Sequence, residues 1–226
     1  MKKHFGILLV LLVTLASRAD LITNLNVTAS PGAAIADAST IGVVSHVTVS
    51  GMFGYMTDIQ VALNITGGFN GDLYAYLISP QGSMIVLLNR VGLNSANPFG
   101  YSDAGFNITL QAAGFDIHDY GSHSPTFSSG QLTGVWMPDR RMIDGQSPAG
   151  YFDAAGTGNN LDSLYGSDPN GDWTLFVADL SSPGQSTLVS WGLTIATVPE
   201  PQTWALLVGG GLMLLVAGRH RQKTRI

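Results

Sequence analysis

The chain has 226 residues, no cysteine, ten basic against fifteen acidic side chains, and only 11% charged residues. Seven of the ten basic residues lie at the two ends, so residues 20–197 hold fourteen Asp, no Glu and three Arg, about −11. An anionic body of this kind argues against nucleic acid as a partner, and the lack of cysteine excludes disulfides, a thiol nucleophile and Cys-based metal centres.

At the N-terminus, Lys2 and Lys3 precede an apolar run from Phe5 to Ala16, and small residues stand one and three positions before Asp20. The pattern predicts a secretory signal peptide over residues 1–19, cleaved after Ala19. The alternative, an uncleaved anchor, would need a longer span. Either reading exports the body. Residues 20–34 are a lead-in to a domain that extends from Ile35 to about residue 197.

That body reads as strands. Ile59, Val61, Leu63 and Ile65 alternate with polar or small residues, as do Phe106, Ile108 and Leu110. Trp173, Leu175 and Val177 share one face, and Val189, Trp191, Leu193 and Ile195 another. These are half-buried strands. Clusters such as Gly67-Gly68, Asn70-Gly71-Asp72 and Asp168-Pro169-Asn170-Gly171-Asp172 supply turns, because Gly and Asn tolerate positive φ and Asp bonds nearby backbone. Short strands without an amphipathic helix predict an all-β, antiparallel jelly-roll or sandwich. Residues 134–166, rich in Gly, Asp and Pro, are too long for an ordinary loop and are either functional or poorly ordered.

The search for chemistry finds three His in the body, His46, His118 and His123, none within a nucleophile-elbow, zinc-peptidase or phosphate-loop motif. No catalytic residue is assigned. His118 and His123 are either metal ligands or surface polar residues. Asp168, Asn170 and Asp172 alternate as oxygen ligands do around a hard cation, and with Asp179 they form the candidate metal set, calcium being the candidate ion. The competing reading is an ordinary turn, since Trp173 stands where an EF-hand loop needs Gly. Asp72 and Asp179 are expected to bond loop amides and fix a corner of the sandwich. Trp173 and Trp191 are expected in the core, and Tyr55, Tyr74 and Tyr76 are candidates for a carbohydrate platform.

Residues 198–226 form a three-part tail: Pro199-Glu200-Pro201, an apolar stretch at about 203–217, and a basic end with Arg219, Arg221, Lys223 and Arg225. Fifteen helical residues reach roughly 22 Å against a hydrocarbon core of about 30 Å, a marginal transmembrane span. The basic cluster orients it with the body outside. Motif, span and basic end in this order resemble the PEP-CTERM sorting signal of bacterial exported proteins. That resemblance implies recognition of Pro199, Glu200 and Pro201 by an exosortase-type transpeptidase, passage through the inner membrane, and delivery to the cell surface or beyond. The alternative is a permanent single-pass anchor.

The body also resembles a known module. Asp58 to Ile65, Gly71-Asp72-Leu73, Leu77-Ile78-Ser79-Pro80-Gln81-Gly82, Gly134-Val135-Trp136-Met137-Pro138-Asp139, Asn170-Gly171-Asp172-Trp173 and Ser190-Trp191-Gly192-Leu193 occur in the order seen in the P domain, or P/Homo B domain, of subtilisin-like proprotein convertases. The resemblance implies a jelly roll of about eight strands that stabilises a protease without containing its active site. This chain has Thr66-Gly67-Gly68-Phe69 where that family places a His before Gly-Asp-Leu. The resulting expectation is a non-catalytic surface or matrix protein with an interaction or structural role. The alternatives are an accessory domain serving a subtilisin-like serine endopeptidase in trans, or a calcium-dependent or polysaccharide-binding adhesin.

Overall fold

Alternating side chains set the two faces of each strand. The computed structural model describes residues 24–198 and 209–214. In it, Ile59, Val61, Leu63 and Ile65 line the buried side of β4 (Tyr55–Gly67), with Gln60 and Asn64 on the wetter side. Phe106, Ile108 and Leu110 do the same in β7 (Gly105–Leu110), and Trp173, Leu175 and Val177 in β10 (Gly171–Asp179). Each fully buried aliphatic side chain contributes roughly 1.5–3 kcal/mol, so these rows hold the halves together.

β11 (Ser186–Val198) departs from the expected face. Its register against β4 shifts between Leu188 and Ser190. A bulge adds one residue and flips the alternation before it. Leu188 is therefore buried with Trp191, Leu193 and Ile195, while Val189 is only half-buried.

The other strands are β1 (Asn24–Ala29), β2 (Ala33–Ile35), β3 (Ser39–Val49), β5 (Leu73–Ile78), β6 (Met84–Asn89), β8 (Thr126–Ser128) and β9 (Gln131–Trp136). One sheet runs β1-β11-β4-β7-β9-β8, with β2 also on β11, and the other runs β3-β10-β5-β6. The result is a two-sheet sandwich, antiparallel except for the parallel pair β7 and β9. Its core gathers side chains from both sheets, among them Trp173 and Trp191. Their indoles donate to Pro169 O at 2.9 Å and Ser45 Oγ at 2.9 Å. Among the described residues the sandwich contains eleven strands rather than about eight, in part because the short β1, β2 and β8 flank the larger sheet. It therefore begins before Ile35, inside the expected lead-in.

The long irregular stretch is ordered. Asp139 N and Arg140 N donate to Leu87 O and Val86 O of β6 at 3.1 Å each, so the strap covers an edge that would otherwise present free backbone groups. Further along, two 3-10 turns (Ala149–Ala154 and Leu161–Leu164) bury Phe152, Leu161 and Leu164. Met56 N then donates to Ser167 O at 2.9 Å, tying the strap to β4.

The expected signal peptide with its cleavage at Ala19, and the expected sorting motif Pro199, Glu200 and Pro201, lie outside the described residues. Of the expected span at 203–217, only 209–214 are described, and these are helical. Among the described residues, no helix is long and apolar enough to cross a membrane.

Candidate functional site

The polar residues singled out from the sequence fall into three separate places. The first is a corner where β4, β5, β10 and β11 meet. Gly68 has φ +61, and a Cβ there would run into Ser186 Oγ, so glycine allows the two segments to close. The next turn, Asn70–Asp72, is pinned by Asn70, whose Oδ1 accepts from Gly105 N at 2.8 Å and whose Nδ2 donates to Tyr120 Oη at 3.2 Å. Asp72, with a side chain 8% exposed, accepts from Arg90 Nη2 at 3.3 Å, and Arg90 Nε donates to Gly71 O at 2.9 Å. Asp179 is 1% exposed. Its Oδ2 accepts from Ser186 Oγ at 3.0 Å, whereas its buried Oδ1 has no hydrogen-bond partner of ordinary geometry.

The sequence leads to the expectation that both carboxylates bond loop amides. Asp179 meets it only in part, through the nearby Ser181 N–H, and Asp72 turns to Arg90 instead. Burial pushes the Asp72 carboxyl up to about 6, with Arg90 opposing and Asp179 and Asp37 adding to the rise. Burial raises Asp179 as well, against the Ser186 hydroxyl and Ser181 amide. Beside this corner lies a recess of about 210 Å³ bounded by Asp72, Phe69, Phe99, Tyr101 and the Ser181–Pro183 turn.

The second place is a buried knot joining the 116–123 segment to the strap. His118 is 2% exposed, not a surface residue, because Asp116 and Asp139 turn it inward. Its Nδ1 lies 2.7 Å from Asp139 Oδ2 and its Nε2 lies 3.1 Å from Leu93 O. Both ring nitrogens thus face acceptors. Asp139, fully buried, also accepts from Asn89 N at 3.1 Å, Arg141 N at 3.3 Å and Arg141 Nη1 at 3.0 Å. Arg141 Nη1 reaches Asp116 Oδ2 at 3.0 Å. Burial raises Asp116, while its two carboxylate partners raise Arg141 against the burial that opposes it. The pairing of His with Asp has the look of half a triad. In a triad, however, the far nitrogen receives a hydroxyl proton, and here it is occupied by a main-chain carbonyl. His46 Nδ1 sits 3.0 Å from Thr174 Oγ1, and His123 stacks on Phe115 at 3.9 Å.

The third place is the turn before β10. Asp168 Oδ1 accepts from Asn170 N at 2.9 Å and Asn170 Nδ2 at 2.7 Å; Asn170 Oδ1 accepts from Met52 N at 3.0 Å. Asp172 Oδ1 accepts from Thr48 Oγ1 at 2.6 Å across the β3–β10 pair. These oxygens hold the turn rather than converge on a point. Asp179 is at the opposite end of β10, about 23 Å away at roughly 3.3 Å per residue. The four candidate ligands are therefore not brought together. Among the described residues, no group of three or more His, Asp or Glu is placed to hold a metal ion.

The outer face of the smaller sheet carries Tyr74, Tyr76, Phe176 and Val44. Val44, Phe176 and Tyr76 form one cross-strand row, and Val44 is 56% exposed. Tyr76 and Phe176 stack on each other at 4.8 Å and 17°, and Tyr74 meets Tyr76 edge-on at 5.9 Å. The Tyr76 and Phe176 rings therefore each cover one face of the other.

Compared with known proteins, residues 56–137 match the sequence model of the proprotein convertase P-domain. The matched residues include Asp72, β5, β6, β7 and β9, whereas Asp179 and Ser186 lie beyond them. No curated protein matches it. Among solved structures, it is similar to the Aeromonas sobria serine protease in complex with its chaperone ORF2, at 15% identity, over 84% of this chain and 29% of that one, with a TM-score of 0.41. The same protease without the chaperone gives 16% identity, 83% and 29% coverage, and a TM-score of 0.39. This chain thus spans less than a third of the length of the proteases it matches.

Proposed function

We propose that the protein is an exported, non-catalytic P-domain-type sandwich whose work is binding or structural support. In this reading it is delivered by an N-terminal signal peptide and a C-terminal Pro199-Glu200-Pro201 sorting signal that an exosortase-type enzyme processes. The observation that carries the non-catalytic part is at His118. The His and Asp most like a catalytic pair have every reactive position committed to Leu93 O, Asn89 and Arg141, so they serve as a structural clasp. The P-domain match supports an accessory role by analogy, since fold alone does not set function.

The test is hydrolysis. The purified protein, offered fluorogenic peptides and esters, should show no turnover above buffer. Turnover that disappears in a His118→Gln variant of unchanged fold would overturn the reading. A second reading, an accessory domain acting in trans on a subtilisin-like protease, is favoured by the same P-domain match. It predicts recovery of such a protease with the protein from its own cells, and a longer protease half-life on heating when the protein is added.

A further inference from the structure

The corner around Asp72 is out of charge balance. Asp72, Asp179 and Asp37 lie close enough for each of the other two to raise the Asp72 carboxyl, and one guanidinium, that of Arg90, opposes them. Asp179 Oδ1 is buried with no hydrogen-bond partner of ordinary geometry, the Ser181 amide being a nearby donor to this carboxylate, in a residue only 1% exposed. A buried carboxylate with so few donors is costly, and positive charge brought near it would offset that cost. The recess opens beside this corner with Asp72 as the acidic group in its lining; Asp179 is not part of that lining and acts on the site through Asp72.

Its walls have a second character. Phe99 is 78% exposed and Phe69 37% exposed, an unusual use of large apolar rings beside a buried acid. Tyr101 is held rigidly: it packs on Tyr120 at 4.2 Å, and a Cβ on Gly92 or Gly121 would strike its ring. An aromatic rim over a carboxylate suits a cation carried on an aliphatic stem, the head meeting the acid and the ring faces while the methylenes lie along the phenyl groups. A bare metal ion fits less well, because among the described residues no three acidic or imidazole groups are placed to ligate one.

We propose that this recess binds the basic side chain, lysine or arginine, of a partner polypeptide, with Asp72 as the acceptor, Phe69, Phe99 and Tyr101 as the walls, and Asp179 as the negative charge behind it. The proposal does not depend on whether that partner is a protease or a matrix protein. Asp72 faces Arg90, Asp179 and Asp37, and its raised pKa gives the binding a direction in pH, because only the ionised carboxylate attracts the cation.

The experiment titrates the full-length, isotope-labelled protein in mild detergent with acetyl-Ala-Lys-Ala-amide, reading amide shifts by NMR. Acetyl-Ala-Leu-Ala-amide and calcium chloride serve as separate arms. The lysine peptide should give saturable shifts confined to residues around Phe69, Phe99, Tyr101 and Ser182. Affinity should fall about tenfold from pH 7.5 to pH 5, as Asp72 takes up its proton. Phe99→Ala, at an exposed position that leaves the core intact, should weaken binding about two- to fivefold, and Asp72→Asn should abolish it. Equal shifts with the leucine peptide would overturn the proposal. So would shifts spread over the whole anionic surface and erased by salt, or a response of these residues to calcium alone.

Discussion

Replacing Asp139 with alanine tests whether the buried knot is a structural clasp. The change removes the acceptor for His118 Nδ1, Asn89 N, Arg141 N and Arg141 Nη1 together. Arg141, 14% exposed, keeps Asp116 as its one remaining close carboxylate, the Asp119 contact being 3.8 Å. Breaking one side of a buried pair costs about 3–5 kcal/mol, because the donors left behind have no water to turn to. For a domain of this size, such a loss lowers the Tm by about 6–20 °C. Urea and thermal melts of the purified protein read it directly. A cycle with Arg141→Met separates the pairwise part, expected at about 0.5–3 kcal/mol for residues in one network. A loss below about 1 kcal/mol, the range of an exposed ion pair, would mean that the knot is open to solvent and the clasp reading is wrong.

Other predictions follow from single contacts. The folded-state pKa of Asp72, about 6 against an ordinary 3.8, means the folded protein keeps a proton that the unfolded chain releases. The stability from this group is full below about pH 4 and lost as pH rises through about 6. Asp72→Asn, which keeps an oxygen for Arg90, should therefore gain stability relative to the wild type between those pH values; parallel stability curves would refute this. Gly105→Ala places a Cβ against the Ile65 carbonyl oxygen at φ +97, and should cost about 2–4 kcal/mol in denaturant melts. Because the Asp168 and Asn170 oxygens already accept from Asn170 and Met52, EDTA should leave the Tm unchanged; a fall of several degrees would restore calcium to the turn.

The strands were legible because burial imposes a period of two. Ile59 to Ile65 and Trp173 to Val177 face inward as their spacing requires. The indoles at Trp173 and Trp191 find acceptors, as large buried aromatics must. Val189 misled because a bulge is one residue with no side-chain signature of its own. β1 and most of β2 fall inside the expected lead-in: β1 alternates, but its inward residues are only half-buried, and β2 is three residues long.

The site was harder to see. Asp139 stood out only as part of Trp136-Met137-Pro138-Asp139, and nothing in the spacing joins it to His118. That contact crosses twenty-one residues and depends on the strap lying along β6. A signal was present all the same: three Arg in a body of fourteen Asp is a small number, so each Arg was a candidate partner for a buried acid. Two of them, Arg90 and Arg141, take that part. The alternating oxygens of Asp168, Asn170 and Asp172 looked like ligands because turn chemistry and cation chemistry use the same residues.

The most direct measurement of the account is the intact mass of the protein in each fraction of its own cells, taken for the wild type and for Glu200→Ala. The account predicts an exported species that begins at Asp20 and has lost the basic end, and a longer, membrane-retained species in the variant. Full-length chain in the cytosol, from Met1 to Ile226 and unaffected by Glu200→Ala, would contradict it.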